Sequence, residues 1–338
     1  MLKEKDPYYL DKEAALRDIF GAAEVQVRSD SVIVDGREYP VVDDVIILLQ
    51  PERWPEDMKE RVTSSGSAGS DAGGAFAGDI QFTFGKEWQK YPEILPGHEA
   101  EFKLYFDMVN TGDLARARIC DLGCGIGRWS YFLKDKAREL VLLDFSEAIF
   151  VARKNLAGAK NCIFFMGDIK ELPFRENFAD LVFSLGVLHH LPTDALDEVR
   201  ALAKYSRKLL IFLYYSLDNR PYVWRAILGA VTLVRSVLSG IKSEGARSFL
   251  TGALTWLVYL PLIYAGSLLE LIKLGKYVPL YDFYHDKTVQ RIKQDVYDRF
   301  FTRIEHRYSR KEIAGLKDTF KEVKISDRLP YWHFLCGN

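Results

Sequence analysis

The feature that most constrains the fold is a glycine-rich turn at residues 121–127, which reads Asp-Leu-Gly-Cys-Gly-Ile-Gly. The apolar run 118–122 leads into it and ends beside an acidic residue. Glycine is needed where the backbone turns sharply and where a ligand must contact the main chain without a Cβ in the way. A helix beginning after such a turn presents free N–H groups to the ligand. The segment therefore predicts a strand, a ligand-binding turn and a helix.

The surrounding sequence extends this unit into an α/β fold. Apolar runs alternate with helical patterns from about residue 80 to residue 215, which indicates a parallel sheet with right-handed crossovers. We expect strands at 118–122, 140–144, 162–166, 179–184 and 208–213. We expect helices at 126–135, 146–157 and 193–206. After an interruption come a helix at 310–320 and strands at 323–326 and 332–336.

The spacing of the glycines separates two kinds of cofactor site. A dinucleotide-binding turn needs G-x-G-x-x-G, and its third glycine would fall at position 128, where Arg128 stands. The pattern present, D-x-G-x-G-x-G, resembles the first motif of the class I S-adenosylmethionine (SAM)-dependent methyltransferases. The resemblance implies that Asp121 lies near the amino group of the cofactor's methionine part and that the three glycines pass beneath the cofactor.

Three further motifs follow at the spacing of that family. Asp144 ends an apolar strand, where the family binds the ribose hydroxyls, and the resemblance implies that Phe145 packs on the adenine. Asp168 ends the next strand, where the family binds the adenine amino group. The segment 178–192 resembles the fourth-strand motif of the branch that contains ubiquinone- and menaquinone-pathway methyltransferases. A single Asp at a strand end is often only a helix cap, but four ordered motifs favour the methyltransferase. The resemblance implies these cofactor-binding residues: Asp121, Gly123, Cys124, Gly125, Gly127, Asp144, Phe145, Ser146, Gly167, Asp168, Ile169, Ser184 and Leu185.

The resemblance also predicts the architecture. It implies a doubly wound, Rossmann-like sheet of seven strands with the last strand antiparallel, a small N-terminal β module and a largely helical insertion after the fifth strand. We expect four regions: an α+β module at 1–60, a flexible Gly/Ser-rich linker at 61–79, a core at 80–215 and 309–338, and the insertion at 216–308.

The N-terminal region resembles the small zinc-ribbon-like activator domain found beside or fused to some methyltransferases, on the basis of residues 32–49. No Cys precedes Cys120 and no His precedes His98, so the region has no ligands for a zinc site. We predict no metal and interpret the region as a packing or interaction module. The aromatic segment 82–91, which contains Trp88, either folds over the cofactor or is an amphipathic docking helix.

The insertion is the predicted source of substrate specificity, because it follows a strand end at the edge of the sheet where ligands bind. Its two ends mix aromatic and titratable residues, although ordinary capping and aromatic packing would explain any one of them. With Trp88, the candidate substrate-binding residues are Tyr214, Tyr215, Arg220, Tyr222, Tyr284 and His285.

An uncharged stretch at 248–269 is long enough to cross a bilayer by the usual criterion of about 20 residues. Pro261 near its centre and the lack of a second clear span favour a helical lid over an apolar pocket instead, with or without contact to the membrane surface through 222–275. The charged N-terminus lacks the apolar core of a signal peptide, and the four Cys form no disulfide framework. We therefore expect a cytoplasmic protein, with membrane association as an option.

Charge and motif together define the functional hypotheses. A net charge of −1 disfavours a dedicated nucleic-acid binder. The apolar insertion favours methylation of a hydrophobic small molecule or lipid-like acceptor, and the alternatives are protein or tRNA methylation and a non-catalytic binding module. If the acceptor starts protonated, His189 or His190 is the predicted base, because imidazole titrates near neutral pH. A turn pair of structural importance only is the plainer interpretation of these two residues.

Overall fold

The computed structural model describes residues 7–54, 92–241 and 243–338. The predicted linker at 61–79 and the aromatic segment 82–91 with Trp88 lie outside the described residues.

The described strands form one mixed sheet, in the order β1-β2-β3-β4-β7-β6-β5-β8-β9-β11-β10. Strands β5 to β9 pair in parallel, whereas β11 is antiparallel to both of its neighbours, β9 and β10. The strands are β1 (Val25–Val27), β2 (Ser31–Val34), β3 (Arg37–Val42), β4 (Val45–Ile47), β5 (Arg118–Leu122), β6 (Glu139–Asp144), β7 (Cys162–Met166), β8 (Leu181–Leu185), β9 (Lys208–Phe212), β10 (Glu322–Ile325) and β11 (Phe334–Gly337).

The N-terminal strands belong to this sheet, which corrects the predicted seven-stranded sheet with a separate β module. Ile46 and Ile47 of β4 pair in parallel with Phe165 and Met166 of β7. All three side chains of β4 are buried, and the Leu48 N–H donates to the Met166 carbonyl at 2.8 Å. The edge of a sheet carries unpaired backbone groups, and here the N-terminal strands cover the β7 edge.

Among the described residues, the first compact unit comprises 7–54, 92–188, 193–213 and 311–338. Strands β5 and β7 are buried at every residue, as expected for central parallel strands covered on both faces. Its α-helices are α1 (Glu13–Phe20), α2 (Gly97–Tyr105), α3 (Ala148–Asn155), α4 (Ala195–Leu202) and α10 (Arg310–Ala314). The first residue of α10, Arg310, is assigned to the second unit and the others to the first.

The predicted helix at 126–135 is wrong, because only the short 3₁₀ turn Ser130–Phe132 forms there. Gly127 adopts a left-handed φ of +74°, which a right-handed helix cannot include. The following Trp-Ser-Tyr-Phe residues at 129–132 have modest helix propensity. The Ser130 hydroxyl instead donates to Asp121, which ties the turn to the end of β5.

The second compact unit comprises residues 189–192 and 214–310. Its helices are α5 (Tyr222–Leu238), α6 (Glu244–Leu254), α7 (Leu260–Glu270), α8 (Tyr281–Tyr284) and α9 (Val289–Phe301). A π-helical turn, Thr255–Tyr259, joins α6 to α7, so Glu244–Glu270 is one continuous helix. The unit has its own apolar core, formed by Tyr259, Leu260, Ile263, Tyr284, Ile292, Val296, Tyr297, Phe300 and Phe301.

Candidate cofactor site

The glycine turn after β5 has the backbone geometry that its sequence predicts. Gly123, Gly125 and Gly127 have φ values of +77°, +53° and +74°, a region that residues with a Cβ rarely adopt. A Cβ at position 123 would also lie 2.6 Å from both Cγ atoms of Val187. Position 123 is therefore restricted to glycine by its backbone conformation and by the space around it.

The turn is fastened to the carboxyl end of the neighbouring strand β6. The N–H groups of Gly123 and Cys124 both donate to the Leu143 carbonyl, at 2.8 and 3.0 Å. The Gly125 N–H donates to the Asp144 carboxylate oxygen Oδ2 at 2.8 Å. These bonds hold the turn and Asp144 in one rigid group, so both are preorganised for a ligand.

Asp144 is a buried acceptor with most of its capacity in use. Its Oδ1 accepts from the backbone N–H and the hydroxyl of Ser146, at 2.8 and 2.7 Å. Burial raises the pKa of Asp144, while hydrogen bonds from Ser146 and Gly125 oppose that rise. The backbone N–H of Phe145 also acts on this carboxyl in the same direction. A buried carboxyl at a strand end, oriented by backbone and hydroxyl donors, is suited to accept from a ribose hydroxyl.

Asp121 lies at the end of β5, buried, with its Oδ2 accepting from the Ser130 hydroxyl at 2.7 Å. Burial, with a smaller contribution from the nearby charge of Asp144, raises the pKa of Asp121 to about 8, although the hydrogen bond from Ser130 acts in the opposite direction. A buried carboxyl without a cationic partner favours its neutral form, and an ammonium group placed beside it would restore the charge. The predicted role beside the amino group of SAM fits this environment.

Asp168 has a charged partner that the sequence did not reveal. Its Oδ2 lies 2.5 Å from Nη2 of Arg53, and its Oδ1 caps the next turn by accepting from the Lys170 N–H at 2.9 Å. The Arg53 guanidinium also lies 5.2 Å from the centre of the Phe145 ring. Arg53 thus contacts the two side chains predicted to bind the adenine. No local pattern could identify it, because the contact requires β4 to lie beside β7.

The remaining predicted cofactor residues line or support the same strand ends. A Cβ at Gly167 would meet Leu48 at 3.1 Å and Leu143 at 3.3 Å, so this position favours a small residue. The buried Ser184 hydroxyl donates to the Leu122 carbonyl at 2.9 Å and links β8 to β5. Cys124 and Ile169 are buried, and Leu185 is the half-buried last residue of β8.

The candidate catalytic pair lies in the second unit. His189 is buried, and its ring stacks on Tyr214 with 3.9 Å between centroids. Burial lowers the pKa of His189 well below its ordinary value, and electrostatic interactions with His190 and Arg307 act in the same direction. The neutral form of His189 is therefore favoured at neutral pH. His190 Nδ1 lies 2.7 Å from the Ile304 carbonyl, which can only accept, so Nδ1 carries the proton and Nε2 is the basic atom.

The candidate substrate residues of the second unit have diverse surroundings. The Tyr214 hydroxyl donates to Asp298 at 2.8 Å, and Arg220 forms an ion pair with Asp282 at 2.7 Å. Tyr284 belongs to the apolar core, and its hydroxyl donates to an acidic residue of α9. The other three differ in exposure: Tyr215 is half-buried, whereas Tyr222 and His285 are exposed.

Comparison with known proteins identifies part of the first unit. Residues 119–209 match the model of a family described as a methyltransferase domain. This range contains the glycine turn, Asp144, Asp168 and the fourth-strand motif. The prediction of a methyltransferase domain is therefore confirmed for this part of the chain.

Individual relatives are similar to part of the chain. A tRNA U34 carboxymethyltransferase of Shewanella pealeana is 32% identical over 139 residues, which cover 37% of this chain and 42% of the relative. A malonyl-[acyl-carrier protein] O-methyltransferase of Hamiltonella defensa is 32% identical over 74 residues, which cover 22% of this chain and 28% of the relative. The chain thus spans less than half the length of either relative that it matches.

Among solved structures, phosphoethanolamine N-methyltransferase 1 of Haemonchus contortus, with phosphoethanolamine and S-adenosylhomocysteine bound, is similar at 20% identity and a TM-score of 0.34. The similarity covers 39% of this chain and 31% of that one.

Proposed function

We propose that this chain, which carries a methyltransferase domain at residues 119–209, transfers a methyl group from SAM to an apolar acceptor. The observation that carries the proposal is the rigid group formed by the glycine turn and Asp144, with the buried Asp121 beside it. This group offers three glycines without Cβ atoms, an acceptor suited to a ribose hydroxyl and a buried carboxyl with no cationic partner in the part of the chain that the structure describes.

The residues of the first unit act by binding and orienting the donor. SAM supplies a methyl group on a sulfonium, which is already activated for in-line displacement. Asp121 binds the amino group of the methionine part, and Asp144 binds the ribose. Phe145 and Asp168 bind the adenine, with Arg53 holding Asp168 in position. Alignment of the reacting atoms supplies much of the rate enhancement in such a displacement.

A base is required only for an acceptor that enters with a proton. We propose His190 as the first candidate, since its Nδ1 donates to a carbonyl and its Nε2 is the basic atom. His189 is the weaker candidate, because burial lowers its pKa well below the ordinary value and a base of low pKa accepts protons poorly at neutral pH.

The apolar acceptor is supported by the composition of the second unit. The stretch 248–269 contains no charged residue, and its helix presents large apolar side chains at the surface. The names of the two relatives point instead to a tRNA and to a protein-bound carboxyl acceptor. The net charge of −1 argues against tRNA, because nucleic-acid binders usually carry a basic excess.

The test presents purified protein with isotopically methyl-labelled SAM and three acceptor pools: a total lipid extract, bulk tRNA and acidic acyl thioesters on carrier protein. Label in the lipid fraction alone supports the proposal, and label in tRNA or protein alone contradicts the acceptor class. Asp121→Asn serves as the matched control, because it keeps the shape of the side chain and removes its charge. Tight binding of S-adenosylhomocysteine without turnover on any pool would favour a non-catalytic binding module.

A further inference from the structure

The large apolar side chains that are exposed in the described part of the chain are concentrated in one segment. All of them except Leu10, Leu104 and Val289 lie within residues 222–277. Soluble monomers rarely expose contiguous apolar patches of more than a few hundred Å². This concentration within the second unit is typical of a surface that binds a partner or a membrane.

Helix α5 contributes one apolar face. None of its residues is buried, and the helix carries no acidic residue. Its most exposed apolar positions recur at helical spacing, which places them along one side. They are Tyr222, Val223, Ile227, Leu233, Val234 and Val237.

The continuous helix Glu244–Glu270 and the turn after it contribute a second apolar face. Among the described residues this is the helix long and apolar enough to cross a membrane, yet only 28% of its most apolar stretch is buried. Phe249 and Leu257 are 75% and 76% exposed. The same exposed face continues through Trp256, Tyr264, Leu268, Leu271 and Ile272.

The opposite face of this helix packs on α9. Thr251, Thr255 and Tyr259 are buried on that side, and Tyr259 joins the core of the second unit with residues of α9. At the start of the helix, the Tyr297 hydroxyl of α9 donates to Glu244 at 2.8 Å. The helix is therefore held to its own unit along one side and exposes apolar side chains along the other.

Helix α9 determines how deep this segment can enter a bilayer. It carries five charged residues within two and a half turns, of which Arg291 and Asp295 form an ion pair. Charged side chains cost several kcal/mol at the centre of a bilayer. A helix that packs on α9 through residues 244–259 cannot cross the hydrocarbon without carrying these charges with it, but it can lie in the interface with its free face in the lipid.

The charge of the segment indicates which surface it binds. Residues 222–277 contain six basic and two acidic residues, a net charge of +4, whereas the whole chain carries −1. Arg225, Lys273 and Lys276 are exposed basic residues at the ends of the two apolar faces. One of the two acids, Glu270, accepts from the Gly275 N–H at 3.1 Å. Basic residues beside an apolar face complement anionic lipid headgroups.

We propose that α5 and the helix Glu244–Glu270 form a docking surface for an anionic lipid bilayer, in whose interface they lie parallel to the membrane plane. Trp256 and Tyr264 occupy the exposed face, and such aromatic side chains prefer the boundary between headgroups and hydrocarbon. This inference is independent of methyl transfer, since vesicle binding measures it without a methyl acceptor.

The first experiment is sedimentation of the full chain with vesicles of phosphatidylcholine, alone or mixed with phosphatidylglycerol. We expect the original chain to bind the anionic mixture. The double variant Lys273→Gln, Lys276→Gln should bind these vesicles about tenfold or more weakly. The triple variant Phe249→Ser, Leu257→Ser and Leu268→Ser should weaken binding about a hundredfold or more. Leu10→Ser, which removes an exposed apolar side chain of the first unit, is the matched control and should bind like the original chain.

The second experiment measures depth. The four native Cys are buried, so a thiol-reactive fluorophore reacts first with an introduced, exposed thiol. An environment-sensitive fluorophore is attached in this way to Leu257→Cys, and Leu10→Cys is the control. Vesicles should shift only the Leu257→Cys emission to the blue, and brominated lipids should quench it from shallow acyl positions. Absence of vesicle binding, equal binding by the triple variant, or quenching from the bilayer centre would each overturn the proposal. So would self-association that the triple variant abolishes, because a second copy would then cover this face.

Discussion

Arg53 lies between two parts of the candidate cofactor site: its guanidinium contacts the Asp168 carboxylate at 2.5 Å and the Phe145 ring at 5.2 Å. The residue comes from the segment that follows β4, and it reaches Asp168 because β4 pairs with β7. The N-terminal segment is therefore part of the structure that supports the adenine-binding residues. Removing it would expose the β7 edge and leave Asp168 without this partner.

We expect Arg53→Gln and Asp168→Asn each to weaken S-adenosylhomocysteine binding by about tenfold, the usual order for one charge-assisted hydrogen bond. Asn caps a helical turn about as well as Asp, so the second change leaves the bond to Lys170 in place. Titration calorimetry measures the effect. Glu171→Gln is the control, since it removes only the exposed partner of Arg53. The inosine analogue of S-adenosylhomocysteine lacks the adenine amino group, so Asp168→Asn should weaken its binding less than it weakens the binding of S-adenosylhomocysteine. An equal loss for the two ligands would contradict the assignment of Asp168.

Gly123→Ala should destabilise the protein through two separable effects, strain at φ +77° and a clash with Val187. Gly36→Ala is the matched control, because Gly36 has φ +83° and no heavy atom within 4 Å of the added Cβ. Backbone strain costs on the order of 1–2 kcal/mol in each variant, and we expect the clash to add a similar amount at position 123. Denaturant unfolding measures both. Adding Val187→Ala should restore part of the stability of Gly123→Ala; no recovery would show that the clash is relieved in another way.

The stability of the ligand-free protein should depend on pH through Asp121. Its pKa in the folded protein, about 8, is above the value of an ordinary carboxyl group, so the folded state holds a proton that the unfolded chain releases. Stability from this group is therefore greatest at acidic pH and declines as pH rises towards about 8, by the linkage relation. Asp121→Asn removes the effect. The unfolding free energy of this variant should therefore exceed that of the original chain, and the excess should grow as the pH rises. A constant difference between pH 5 and 8, measured by denaturant unfolding, would contradict the assignment.

The same titration should control donor binding. Ionised Asp121 attracts the amino group of SAM, so affinity should rise between about pH 6 and pH 8 in the original chain. Asp121→Asn should bind more weakly and show a flatter profile over that range. Calorimetric titration at several pH values measures this, with Cys124→Ser as a control that changes a neighbouring turn residue without removing a charge.

We expect His189→Ala and His190→Ala to lower turnover while leaving SAM affinity nearly intact. Loss of a positioned base reduces the rate by about 10²–10⁴-fold, and the larger effect should follow from His190. His189 should produce no titration in the rate profile at neutral pH, because burial lowers its pKa well below the ordinary value. Turnover and calorimetry on the same preparations separate the two roles. An equal loss of affinity and turnover would identify the pair as cofactor ligands.

The local sequence predicted the central strands well, because each is a short, buried apolar run between turns. The predictions at 118–122 and 162–166 coincide with β5 and β7 residue for residue. The glycine turn was equally predictable, since glycine at three alternate positions indicates a backbone conformation that residues with a Cβ rarely adopt. The predicted helix at 126–135 failed because a hydroxyl and a left-handed glycine determine that segment, and neither appears in an apolar pattern.

The sequence alone determined the methyltransferase domain, because strand ends and glycine turns are encoded by residues close together in the chain. Tertiary structure alone decided that the N-terminal strands complete one sheet with β7 and that Arg53 reaches Asp168. It also decided which face of the helix Glu244–Glu270 is exposed, since apolar composition is the same for a buried side and an exposed one. The physical reason is common to all three: pairing, ion contacts and burial depend on residues distant in the chain, which a local pattern does not contain.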